Sequence, residues 1–176
     1  MSAIRTETTI HAPPDLIWAI LTDFRTYGRW NPYLRAIQGR ARVGTPVQIT
    51  TQHQGSDSVT RRYILLKVDS PRELRWRGRL KLPGLIGAEH GLRLDPQPGG
   101  GGTRLRHSAI SHGLLAPLLR GASEADLRRS LEAMNAALKT RAEKVYRESQ
   151  APRSADQQQE LLERTTRLNN ALSWGG

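Results

Sequence analysis

Residues 8–37 read TTIHAPPDLIWAILTDFRTYGRWNPYLRAI, and the order of elements in them narrows the fold more than any other stretch. Upstream, Ile4, Thr6, Thr8 and Ile10 alternate with Arg5, Glu7 and Thr9, the period-two pattern of a half-buried strand. His11-Ala12-Pro13-Pro14 ends that strand, and proline suits the first turn of a helix. Leu16, Ile17, Ile20 and Leu21 then form an apolar helical stripe. Asp23 to Trp30 reads as a second short helix or turn, closed by Asn31-Pro32. One strand followed by two short helices is an unusual opening, and few folds share it.

From residue 36 to 111 the text is strand and turn. Ile37, Gly39, Ala41 and Val43 alternate with Gln38, Arg40 and Arg42, and Gly44-Thr45-Pro46 turns the chain into Val47, Ile49 and Thr51. Gln54 to Asp57 is a turn leading to a long strand over 58–69. After Ser70-Pro71, Leu74, Trp76, Gly78 and Leu80 face one way, while Glu73, Arg75, Arg77, Arg79 and Lys81 face the other. Pro83-Gly84 opens a loop, residues 89–95 form a sixth strand, and Pro96 to Gly102 connects it to a seventh over Thr103–Ser111. The pattern is an antiparallel meander with one wet and one dry face.

The remainder is helical. Leu114, Leu115, Leu118 and Leu119 precede a break at Gly121, and Ser123-Glu124-Ala125-Asp126 has the form of an N-cap. Leu127, Leu131, Met134, Leu138, Ala142 and Val145 then repeat at helical spacing. Such a helix needs a partner, and the dry face of the sheet is the surface available. Residues 149–159 are polar linker, and Leu161, Leu162, Thr165, Leu168 and Leu172 make a weaker amphipathic pattern beyond it. The expected organisation is an α+β domain over 1–148 with an appendage over 149–176.

Composition excludes several classes. The chain of 176 residues has no cysteine, so it has no disulfide, thiolate metal site or cysteine nucleophile. No apolar run approaches the ~20 residues of a membrane span, and MSAIRTETTI lacks the apolar core of a secretory signal. A soluble, cytoplasmic protein, monomeric or homodimeric, is expected. Lys and Arg number 27 against 16 Asp and Glu, a formal charge of +11, and all of it falls in residues 1–149. That favours anionic partners or an arginine-decorated surface. The row Arg75, Arg77, Arg79 and Lys81 would offer phosphate contacts to a membrane or nucleic acid, but no motif for specific nucleic-acid readout accompanies it.

The segment 8–37, with DSPRELRWRG at 69–78, LRLDPQPGGGGTRLRH at 92–107, GLLAPLL at 113–119 and MNAALKTRAE at 134–143, resembles the Bet v 1-like, START-related superfamily (the SRPBCC group). Within it, the chain looks most like the polyketide cyclase/dehydrase and lipid-transport-like branch, over about residues 3–147. The resemblance implies a helix-grip fold: a curved antiparallel sheet of about seven strands around a long C-terminal helix, with two short helices after the first strand. It also implies an apolar internal cavity for a lipid, polyketide or similar hydrophobic molecule. Most such proteins bind and a minority catalyse, so fold does not settle activity.

Strand parity nominates the lining. Arg62, Ile64, Leu66 and Val68 are expected to face inward on the strand at 58–69, beside Trp76, then His90 and Leu92, then His107. The helix adds Leu127, Leu131, Met134, Asn135 and Leu138, and Trp18, Trp30 and Tyr33 come from the aromatic-rich segment around the short helices. Arg62, His90, His107 and Asn135 are polar intruders in this set, and each needs a protein partner, water or a ligand group. His90, His107 and Tyr33 have the chemistry of an acid/base for a cyclase. Neither a metal nor another cofactor is expected, because no third ligand sits at recognisable spacing from the histidines. Nucleophile-elbow, Walker and HExxH motifs are absent from the sequence.

Overall fold

The structure, a computed structural model, describes residues 2–53, 57–78, 87–112, 124–151, 163 and 165–167. Seven strands, β1 (Ser2–Ile10), β2 (Leu34–Gln38), β3 (Pro46–Thr51), β4 (Val59–Asp69), β5 (Glu73–Gly78), β6 (Gly87–Pro96) and β7 (Thr103–His112), form one sheet in the order β1-β7-β6-β5-β4-β3-β2. All neighbours are antiparallel, and the sheet curls into a half-barrel. Helices α1 (Pro14–Thr22) and α2 (Tyr27–Trp30), with a 3₁₀ turn at Phe24–Thr26 between them, connect the two edge strands, and the long helix α3 (Glu124–Gln150) follows the last strand. This is the helix-grip architecture. By compactness the chain divides into Met1–Tyr146 and Arg147–Gly176. In the second unit the described residues are helical but for Ala151, and Arg167 pairs with Glu163 at 3.2 Å.

Local chemistry explains the opening segment. Pro14 starts α1 without forfeiting a needed amide, and α1 buries Ile17, Ile20 and Leu21. Tyr27, fully buried, donates its hydroxyl to the carbonyl of Leu21 at 2.8 Å and packs edge-on against Phe24. The side-chain oxygen of buried Asn31 accepts the amides of Tyr33 and Leu34, each at 2.9 Å. That side-chain turn redirects the chain from α2 into β2 and sets the position of Tyr33.

Helix α3 lies on the inner face of the sheet, where Leu131, Met134, Leu138 and Ala142 are fully buried against Trp76, Leu92, Leu105 and Ile10. It also covers an edge. Lys139 donates to the carbonyl of Thr9 at 2.6 Å, Arg128 to that of Arg5 at 3.3 Å, and Glu143 accepts the amide of His11 at 2.9 Å. An uncovered edge strand invites pairing with other chains, and these side chains occupy that side of β1. At the end of the β6–β7 hairpin, Gly102 has φ +101°, and a Cβ there would collide with the carbonyl of Ile10. The loop therefore requires glycine at this position.

Two expectations of parity and length fail for identifiable reasons. A bulge in β4 between Leu65 and Lys67 shifts the register, so Tyr63 and Leu65 point inward, and Val68 turns in after the bulge. Arg62 is therefore exposed, and Ile64 and Leu66 sit half-buried, out of step with the inner face. The strand expected over 36–43 stops at Gln38, because Gly39 turns the chain with φ +135°, and Val43 is exposed. Leu80, the 83–84 loop, the leucines at 114–119, Gly121, Ser123 and most of the 149–176 segment lie outside the described residues.

Truncating the helix at its deepest contact measures how much of the fold depends on it. Leu131→Ala is expected to cost about 2–5 kcal/mol in urea unfolding, whereas the exposed Val43→Ala stays within about 0.5 kcal/mol of wild type.

Candidate functional site

The inner face of the sheet carries a polar string across its apolar floor. Thr6 on β1 lies opposite His107 on β7, and His90 on β6 lies diagonal to His107 and opposite Trp76 on β5. Asn135 of α3 donates to the Thr6 hydroxyl at 2.9 Å, and its carbonyl oxygen lies 2.9 Å from His107 Nδ1. His90 stacks on Trp76 with ring centroids 5.6 Å apart and planes 4° apart, and it approaches His107 at 6.4 Å. Among the described residues, buried His90 Nδ1 and His107 Nε2 have no hydrogen-bond partner. Burial holds the His90 pKa down to about 3, helped by the neighbouring His107 and His53. Burial likewise lowers His107 to about 4 against the opposing hydrogen bond with Asn135. Both imidazoles are neutral at pH 7.

Around this string the described residues of helix and sheet form an apolar core. Trp76, Leu92, Leu131, Met134 and Leu138 are at most 2% exposed and meet one another in the core. Leu127, Trp18 and Trp30 are partly buried against the same cluster. Among the nominated residues, Tyr33 reaches an open space.

That space is a half-open cleft of about 550 Å³ at the end of the interface where α3 begins. Pro32, Tyr33, Gln52 and His53 form one wall, and Asp126, Arg129, Ser130 and Ala133 of α3 form the other. The ring of His53 packs on Tyr33 at 5.1 Å. Its Nδ1 lies 2.8 Å from the Ser130 hydroxyl, which donates to the carbonyl of Asp126 at 2.9 Å. Partial burial lowers the His53 pKa, with Asp126 pulling the other way. Burial raises the Tyr33 phenol, so it stays protonated. Sequence reading passed over His53 because it follows the strand in a turn-forming stretch. The signal was present: Val47, Ile49 and Thr51 all face inward, and His53 continues their parity.

The outer face of the sheet differs from the expected positive row. Glu73 and Glu89, 7% and 8% exposed, stand between the basic residues. Lys67 and Arg75 pair with Glu73, and Arg75 and Arg77 pair with Glu89, the Arg77 contact at 2.8 Å. The result is an alternating ladder whose guanidinium groups are already engaged. Arg79 and Lys81 lie outside the described residues.

Residues 1–143 match the family described as polyketide cyclase / dehydrase and lipid transport. Among solved structures, a START superfamily protein from Mycobacterium smegmatis is similar at 18% identity, covering 81% of this chain and 98% of that one, with a TM-score of 0.61. A protein of Nitrosomonas europaea, NE0264, aligns at 18% identity over 85% and 97% of the two chains, with a TM-score of 0.58. The di-domain ARO/CYC StfQ of the steffimycin biosynthetic pathway aligns at 15% identity over 84% of this chain and 51% of that chain, with a TM-score of 0.57. These likenesses show the fold. No curated protein sequence matches the chain.

The buried histidines make stability depend on pH in a defined window. Their folded pKa values lie below the ordinary 6.5, so the unfolded chain binds more protons between about pH 4 and 6.5. Stability is then complete above about pH 6.5 and falls as the pH drops towards 4. The carboxylate of Glu73 has its pKa lowered, because hydrogen bonds from Lys67 and Arg75 outweigh its desolvation, so its own loss comes at lower pH. Urea unfolding at a series of pH values checks this, and His90→Phe is expected to flatten the slope above about pH 4.5.

Proposed function

The chain belongs to the polyketide cyclase / dehydrase and lipid transport family, and on that premise we propose that it binds a hydrophobic small molecule, a lipid, polyketide or similar compound, between sheet and C-terminal helix. The cleft beside Tyr33 is the place for it. The observation that carries this reading is a space of about 550 Å³ between the first turns of α3 and the segments carrying Tyr33 and His53. Its volume lies within the range of about 300–1,000 Å³ typical of small-molecule sites. Pro32, the Tyr33 ring and Ala133 supply apolar wall, and Gln52, His53, Asp126, Arg129 and Ser130 supply polar groups beside it. Affinity would come from apolar burial at about 25 cal/mol per Å², and orientation from the polar groups.

A cyclase/dehydratase-like activity is the second reading, supported by the fold shared with an ARO/CYC protein. Against it, a general base works best with a pKa near the working pH, and His90 and His107 are held at about 3 and 4. Docking of a basic sheet face to an anionic surface is weaker still, since Arg75 and Arg77 are paired with Glu73 and Glu89.

Ala133 is exposed on the cleft wall, so Ala133→Trp fills the space without entering the core. The neutral fluorophore N-phenyl-1-naphthylamine is expected to bind wild-type protein saturably, and the variant on the order of tenfold more weakly at unchanged melting temperature. Equal binding by both proteins would remove the cleft from the proposal. Native mass spectrometry of the purified protein, followed by solvent extraction, is expected to identify the class of any retained ligand.

A further inference from the structure

Hydrogen-bond accounting at the cleft assigns a chemical preference to its ligand. Ser130 has one hydroxyl proton, and it goes to the carbonyl of Asp126 at 2.9 Å, the backward bond of a helical serine. A carbonyl can only accept. The Ser130 oxygen is therefore the acceptor in its 2.8 Å contact with His53, and His53 Nδ1 must carry the hydrogen. In a neutral imidazole the other nitrogen is then a bare lone pair. Among the described residues His53 Nε2 has no hydrogen-bond partner, on a ring that lines the cleft and packs against Tyr33.

We propose that His53 Nε2 is the recognition point of the cleft, and that it selects hydrophobic ligands presenting a hydrogen-bond donor, a hydroxyl or N–H, over ethers or esters of the same shape. Ser130 is a positioning residue: it fixes which ring nitrogen faces the ligand, and it does not touch the ligand through its own proton. The inference rests on the cleft being the binding site. It adds a polarity to that reading: the protein supplies the acceptor and the ligand supplies the donor. His107 repeats the arrangement deeper in the core. There the Asn135 amide donates to Thr6, its oxygen takes the Nδ1 proton of His107, and Nε2 is left as a buried acceptor.

A matched probe pair tests the preference. At neutral pH, 2-naphthol is expected to bind wild-type protein at least about tenfold more tightly than 2-methoxynaphthalene, because the ether leaves the imidazole lone pair desolvated and unpaired. His53→Phe is expected to bring the ratio close to one, and Ser130→Ala to an intermediate value. Nitrogen-15 spectra of the unmodified protein are expected to show His53 protonated on Nδ1. Equal affinity of the two probes, a ratio that survives His53→Phe, or a proton on Nε2 would each overturn the inference while leaving the cleft as a binding site. Failure of both probes to bind would overturn the binding reading and the inference together.

Discussion

One amide group ties the long helix to the sheet. Asn135 projects from α3 into the inner face and satisfies Thr6 on β1 and His107 on β7 at once. Within the core the contact around it is apolar and, by itself, without direction, and further polar ties from Arg128, Lys139 and Glu143 run along the β1 edge. A two-sided hydrogen bond of this kind fixes the rotation and height of the helix on the sheet, because sliding α3 by one turn would leave three buried polar groups without partners. Leu131, Met134 and Leu138 then fall into their places between Trp76, Leu92 and Leu105.

The same placement bears on the cleft proposed for the ligand. Among the described residues, an open cleft lies where the helix begins. There the first turns of α3 face Gln52 and His53 after β3 and Pro32 and Tyr33 ahead of β2. Asn31, by capturing the amides of Tyr33 and Leu34, brings Tyr33 to that gap, and Ser130 brings His53. The polar groups of the cleft thus depend on backbone turns and a helix flank.

Much of this was legible beforehand. The strand, short-helix pair, meander and long helix follow from alternation and helical spacing, and the resemblance of 8–37 and its companion segments names the architecture. Burial of Trp76, Leu92, Leu131 and Asn135 follows from parity and periodicity. What parity misjudged was β4. A bulge adds one residue to a strand without leaving a mark in composition, so Arg62, Ile64 and Leu66 exchange faces with Tyr63 and Leu65. The basic row was misjudged differently, because Glu89 comes from the neighbouring strand and no linear reading pairs it with Arg75 and Arg77.

The amino-acid sequence by itself determined the element order, the faces of most strands and the face of the helix, since these depend on the local rules of two and 3.6 residues. Only the tertiary structure decided which polar residues meet. His53 and Ser130 are 77 positions apart, and His107 and Asn135 are 28 apart. Their contacts exist because sheet curvature and helix register bring distant segments within hydrogen-bond range, and a bulge or a turn can redirect a side chain without changing the pattern around it. That is why the fold was readable from the chain while the cleft, and the nitrogen that faces into it, were not.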